Sequence, residues 1–280
     1  MSSLANALDQ LPILLIGLLL FCSMVAATLI GYFLRKRTHP QDGTAGKSDD
    51  GGSDAYIISA VLGLLALLLG FTFSLAVNRY EARRALVLQE SNAIGTSYLR
   101  AQALPEPHRS RLSKILVDYT ENRLSLSANS RTEKVTPLLA RNDQLLTDLW
   151  SATLAANDAV RTTPFSVSLL STVNEVIDMD ASRKAARTVR VPTEVFLVLW
   201  VYVAVTAGIM GYARSQTQGR VLAGLLFVLL TMSYMLILDI DRPGMGGIQE
   251  GQGPMLQLRE SLRQQPPGTF DTWRHGATPS

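Results

Sequence analysis

The sequence predicts an all-α, polytopic membrane protein with four transmembrane helices and a helical extramembrane domain, and three observations carry this. Four stretches, Leu11 to Leu34, Ala55 to Val77, Val195 to Ala213 and Val221 to Leu238, contain no Asp, Glu, Lys or Arg. At about 1.5 Å per residue each can reach across a hydrocarbon core of about 30 Å, where only a helix or a closed barrel satisfies its own backbone. Between the second and third stretches, Asn78 to Val191 carries apolar residues at helical rather than alternating spacing. Finally, a composition of 47% hydrophobic and 18% charged residues would suit a soluble protein. The segregation of those residues, not their average, points to the membrane.

The first span is read as retained rather than cleaved. Its leading residues, Met1 to Gln10, hold Asp9 and no Lys or Arg, and Arg35-Lys36-Arg37 follows it as a stop. The lone cysteine, Cys22, falls inside this span and excludes an intramolecular disulfide and thiol-pair chemistry. It is expected to be packed within a membrane helix. Thr38 to Asp54, rich in Gly, Ser and Asp, reads as a solvated connector. The second span then passes into charged residues with no Gly or Pro at the junction, so one helix is expected to run from lipid into water.

That helix is expected to stop near Pro105-Glu106-Pro107, because proline removes a donor and clashes with the preceding turn. A second water-side helix from about Pro107 carries Leu112, Ile115, Leu116, Tyr119 and Leu124 as one stripe. A third opens on Thr136 and Pro137 and carries Leu138, Leu145, Leu149 and Thr153. A fourth opens on Thr163 and Pro164 and carries Phe165, Leu169, Val173, Val176 and Ile177. The expected domains are therefore 1–77 (spans one and two), 78–191 (helical), 192–240 (spans three and four) and 241–280 (tail, disordered from about Pro266).

Four crossings place both termini and the helical domain on one side. Flanking Arg79, Arg83, Arg84, Arg183, Lys184, Arg187, Arg190 and Arg242 slightly outnumber Arg35, Lys36, Arg37, Lys47, Arg214 and Arg220 opposite. The positive-inside rule thus leans toward cytoplasmic termini and an inner-membrane location. A net charge of +3, with basic residues dispersed among carboxylates, argues against a nucleic-acid surface. Enzymatic chemistry is not expected. His39, His108 and His275 stand apart, and there is no Walker loop, GxSxG or paired-histidine helix motif. No catalytic residue, metal site or cofactor is assigned.

The candidate functional residues lie in span two. Ser59, Gly63, Ala66, Gly70 and Ser74 place small side chains on one face, suited to close helix packing in lipid. Gly63, Leu67 and Phe71 form an overlapping series which, in several copies around an axis, would make apolar rings able to gate by dewetting. Periodicity alone leaves both uses open. At the membrane edge, Asp239 and Asp241 leave span four while Arg79 and Arg83 leave span two, and an ion-pair cluster with a structural role is expected there. Asn174, Glu175, Asp178 and Asp180 read as a solvated face pairing with Arg183 and Arg187, with a cation site as the alternative.

Leu69-Gly70-Phe71 through Val77, followed by Arg79 and Tyr80, resembles the second transmembrane segment of bestrophins, pentameric anion channels. The exit Asp239-Ile240-Asp241-Arg242-Pro243-Gly244 and the downstream Pro254-Met255-Leu256 are similar to that family's as well. The whole chain is more closely similar to a bacterial bestrophin-like group of four-span membrane proteins without an assigned function. That group shares Leu-Gly-Phe-Thr-Phe-Ser, Glu90 through Arg100, and Leu238 through Pro243. The resemblance implies cytoplasmic termini, a homo-pentamer in the lipid bilayer, inorganic anions as permeants, and a pore lined by span two with Phe71, Leu67 and Gly63 at its neck. Gly63 stands where such a neck has a bulky apolar ring, and no acidic run follows Asp241, so calcium activation is not implied.

Two functions follow. One is an oligomeric, anion-preferring channel. The other is a membrane-anchored scaffold or accessory protein working through Asn78 to Val191. A secondary transporter would need more spans and a polar midplane site.

Overall fold

The computed structural model describes residues 11–38, 50–130, 132–213, 217–244 and 246–273. The described residues form eight α-helices and a short 3₁₀ helix at Thr269–Trp273, with no strand among them. In chain order the helices are α1 (Ile13–Thr38), α2 (Asp50–Ala101), α3 (His108–Ala128), α4 (Val135–Val160), α5 (Phe165–Thr188), α6 (Thr193–Ala213), α7 (Thr217–Asp241) and α8 (Gly253–Gln264). Four regions are long and apolar enough to cross a membrane, and they lie where the charge-free runs predict them. Most of the expected connector after α1, and the end of the tail, lie outside the described residues.

The chain divides into two compact units, Met1–Arg79 with Arg190–Ile248, and Tyr80–Val189 with Gln249–Ser280. The first is the membrane unit. In it α1 packs on α6 and α7, and glycine allows the closest approach. A Cβ at Gly31 would stand 2.1 Å from the Gly208 carbonyl oxygen, and one at Gly211 would stand 2.1 Å from that of Thr28. Small residues let backbones approach where lipid offers no hydrophobic drive between helices. The single Thr28 Oγ1 proton is shared between Met24 O at 2.8 Å and Ala207 O at 3.1 Å, and Trp200 Nε1 donates to Ser23 Oγ at 3.1 Å. Arg35 donates to the carbonyls of Tyr212 and Ala213 at 3.1 and 2.8 Å, which satisfies the end of α6. Tyr234 meets Phe196 and Trp200 edge-on, at 5.8 and 6.2 Å between ring centres. Cys22 lies within α1 but is exposed rather than packed, because Leu20 and Met24 take the buried positions on either side.

The second unit is all-helical. α2 ends at Ala101, before Pro105, and α3 begins directly after Pro107. α4 begins at Val135, one residue ahead of Thr136, and α5 follows Pro164. Ile94 and Tyr98 of α2, Leu112, Leu116 and Tyr119 of α3, Leu149 and Ala156 of α4, and Leu169, Val173 and Val176 of α5 close a shared core. The tail contributes to it as well. Pro254 opens α8, and Met255 and Leu262, seven residues apart on one helix face, are buried in this core. Tyr98 Oη donates to Gln265 O at 2.6 Å, and Arg109 reaches Asp271 at 2.6 Å. An amphipathic helix gains by burying its apolar face, and of the stretch read as disordered from about Pro266, residues 266–273 carry the 3₁₀ helix and the Arg109–Asp271 pair.

Candidate functional site

The membrane-spanning part of α2 has two unlike faces. Leu65, Thr72 and Ala76 are buried, and at about 100° per residue they share one side of the helix. Gly63, Leu67 and Phe71 lie opposite, with Leu67 54% and Phe71 67% exposed. Ala66, Gly70 and Ser74 share that open face. A Cβ built on Gly63 or Gly70 meets nothing within 4 Å, whereas one on Gly31 or Gly211 collides with backbone. Gly63 and Gly70 of α2 therefore serve no close packing among the described residues of this chain, unlike the glycines of α1 and α6. Thr72, the polar residue buried on the packed side, is satisfied by its own helix, donating to Leu68 O at 2.8 Å. The open face carries no charged side chain between Tyr56 and Asn78.

The edge residues each have defined surroundings. In the membrane unit, Asp239 accepts from the backbone N–H groups of Gly247 and Ile248 at 2.6 and 3.1 Å. Gly246 is pressed so closely on Asp239 that a Cβ would overlap its carboxylate at 1.8 Å, so the turn after α7 is built around this side chain. Asp241, 2% exposed, accepts from the Val191 N–H at 2.8 Å, which ties the start of the segment leading into α6 to the end of α7. Arg242 donates to Leu11 O at 3.1 Å. Arg79 Nε is buried without a hydrogen-bond partner among the described residues. In the helical unit, Arg83 pairs with Glu250 at 2.8 Å, a carboxylate the sequence reading did not single out. Tyr80 Oη donates to Gln249 O at 3.3 Å.

The helical unit also holds a buried charge network. Glu90 is completely buried. It accepts from Tyr119 Oη at 2.7 Å, pairs with Arg183, and has Arg123 Nε 3.0 Å away, not aimed for a hydrogen bond. Asp180 accepts from Arg123 and Asn142, both at 3.0 Å, and pairs with Lys184 at 2.8 Å. Burial and the adjacent Glu90 charge push the Tyr119 hydroxyl well above its ordinary pKa. The acidic group expected on α5 therefore divides: Asp180 enters the network, while Asn174 and Asp178 pair on the exposed face at 3.1 Å. Among the described residues, no three His, Cys, Asp or Glu side chains are grouped to hold a metal ion.

Four apolar spans, with a long helical segment between the second and third and a short helix after the fourth, define a class of polytopic all-α membrane protein. The Bestrophin-like domain matches residues 22–249, and the chain belongs to the bestrophin-like family. It is similar in fold to crystal structures of a bacterial bestrophin homolog from Klebsiella pneumoniae. One, carrying a single substitution, has a TM-score of 0.64 at 15% identity over 90% of this chain and 96% of that one. Another, solved by zinc phasing, has a TM-score of 0.60 at 16% identity over 92% and 98%. A comparison with curated proteins finds no match.

Proposed function

We propose that this chain assembles as a homo-oligomeric membrane channel, a pentamer, with inorganic anions as permeants and the open face of α2 lining the axis. The observation that carries this reading is the asymmetry of α2. Its buried side is set by its own chain, while Gly63, Leu67 and Phe71 stand on an uncharged side that the chain does not use. A lipid-facing helix gains nothing from glycines, whereas copies gathered around an axis gain room to approach. Leu67 and Phe71 then form apolar rings that hold the neck dry until it widens, and Gly63 leaves the ring above them wider. Family membership and the fold shared with a bacterial bestrophin homolog support the same reading. Both termini and the segment between the second and third spans lie on the cytoplasmic side of the inner membrane.

Halide flux through the purified protein in liposomes tests it, with Phe71→Ala in parallel. Flux above that of empty liposomes, raised further by Phe71→Ala, is the expected outcome. A folded, reconstituted oligomer that passes no halide under varied pH and calcium would leave the membrane-anchored scaffold as the better account.

A further inference from the structure

The helical unit gathers more arginine than its buried carboxylates can pair. Glu90 takes Arg183 and Arg123, Asp180 takes Arg123 and Lys184, and Glu250 takes Arg83. Arg187, one turn beyond Arg183 on α5, is half-buried and has no carboxylate partner among the described residues. Burial, and then the neighbouring guanidiniums of Arg183 and Arg123, draw its pKa below the usual arginine value, with Glu250 and Glu90 acting in the opposite sense. An uncompensated cation held this way is costly.

Arg187 does not stand in solid packing. Together with Arg83 and Arg183 it lines a small cavity of about 10 Å³, with Leu86, Val87 and Ala186 as its apolar lining. That is the smallest space that admits a single water-sized particle, so a halide would need the arginine side chains to give slightly, and sulfate or phosphate is too large. Glu250 is the carboxylate in the lining, and its charge is already met by Arg83 at 2.8 Å.

We infer that this cavity is a binding site for a single small halide ion, chloride foremost, held by the guanidiniums of Arg83, Arg183 and Arg187. The ion balances the unpaired charge and ties α5 to the water-side part of α2, both within the helical unit. Guanidinium N–H groups bond anions strongly, and the apolar side chains in the lining favour a weakly hydrated halide over fluoride. The site stands whether or not the membrane unit conducts.

Thermal unfolding of the full chain in detergent tests this, with chloride titrated against gluconate at constant ionic strength. The wild type should gain stability saturably with chloride. Arg187→Gln should lose that dependence, its half-saturating chloride rising at least roughly tenfold, yet match or exceed the wild type in gluconate, where the unpaired charge is gone. Arg187→Lys should retain a weakened response. An undiminished chloride response in Arg187→Gln would show a bulk salt effect and overturn the site. Crystals of the wild type grown in bromide give an independent readout that does not need any variant to fold. An anomalous peak among the three guanidiniums is expected, and water density there instead would overturn the inference.

Discussion

Glu90 shows how much one side chain decides in the helical unit. It is completely buried, and Tyr119, Arg123 and Arg183 converge on it. Neutralising it leaves two buried guanidiniums short of a counter-charge, a loss of about 3–5 kcal/mol when one partner of a buried pair is removed. Glu90→Gln should therefore unfold at markedly lower denaturant, followed by helical circular dichroism, and a change within experimental error would mean that water compensates the arginines. Tyr119→Phe should cost about 1 kcal/mol, the net worth of an ordinary hydrogen bond. It should also change the response to pH. The Tyr119 hydroxyl keeps its proton in the folded state well above its usual range, whereas the unfolded chain releases it near pH 10. The stability from this group is complete below about pH 10 and is lost as pH rises from there toward the folded value, by up to about 1.4 kcal/mol per unit. The wild type should fall more steeply in that window than Tyr119→Phe, and parallel curves would contradict the assigned burial.

Among the elements, the glycines separate two kinds of helix contact. Gly31 and Gly211 sit where α1 and α6 touch backbone to backbone, and Gly63 and Gly70 sit on the open face of α2. Gly211→Ala should cost the protomer about 1–3 kcal/mol, as overpacking does, seen as a lower unfolding temperature in detergent. Gly63→Ala should leave that temperature unchanged or raise it, because alanine is the better helix former and meets nothing nearby. Equal losses in both would place a packing partner on Gly63. This difference could not be read from the sequence, where both sets are glycines in apolar runs. The spans themselves were legible, because a charge-free run of such length has few other uses. The starts of α3 and α5 were legible from Pro107 and Pro164, which stand at the N-caps directly before each helix, one position ahead of the first turn where proline is favoured. The network around Glu90 was not. Glu90 on α2, Arg123 on α3, and Asp180 with Arg183 on α5 come from three separate stretches of the chain, and nothing local marks them as buried. For α8 a signal existed in Pro254, Met255 and Leu262, which the reading used only as part of a resemblance and not as an amphipathic helix.

For the whole molecule, the decisive matter is what covers the open face of α2. A single 30.5 kDa chain leaves Leu67 and Phe71 more than half exposed, so a wet pathway through α2 requires other copies. A closed ring places the same residue of each copy around one axis, whereas a lipid-facing α2 keeps those residues apart. The single cysteine makes this measurable. In a Cys22→Ser background, Leu67→Cys places one thiol per chain on the open face, and Leu29→Cys places one on an exposed position of α1. A disulfide needs Cα atoms within about 7 Å, a distance that a narrow neck allows and lipid-separated helices do not. Oxidation of the membrane-embedded protein should crosslink Leu67→Cys and leave Leu29→Cys monomeric, while native mass spectrometry of the uncrosslinked protein should give five chains. Crosslinking through position 29 instead would turn α1 toward the partner and α2 toward lipid. The rings of Leu67 and Phe71 would then have no axis to close.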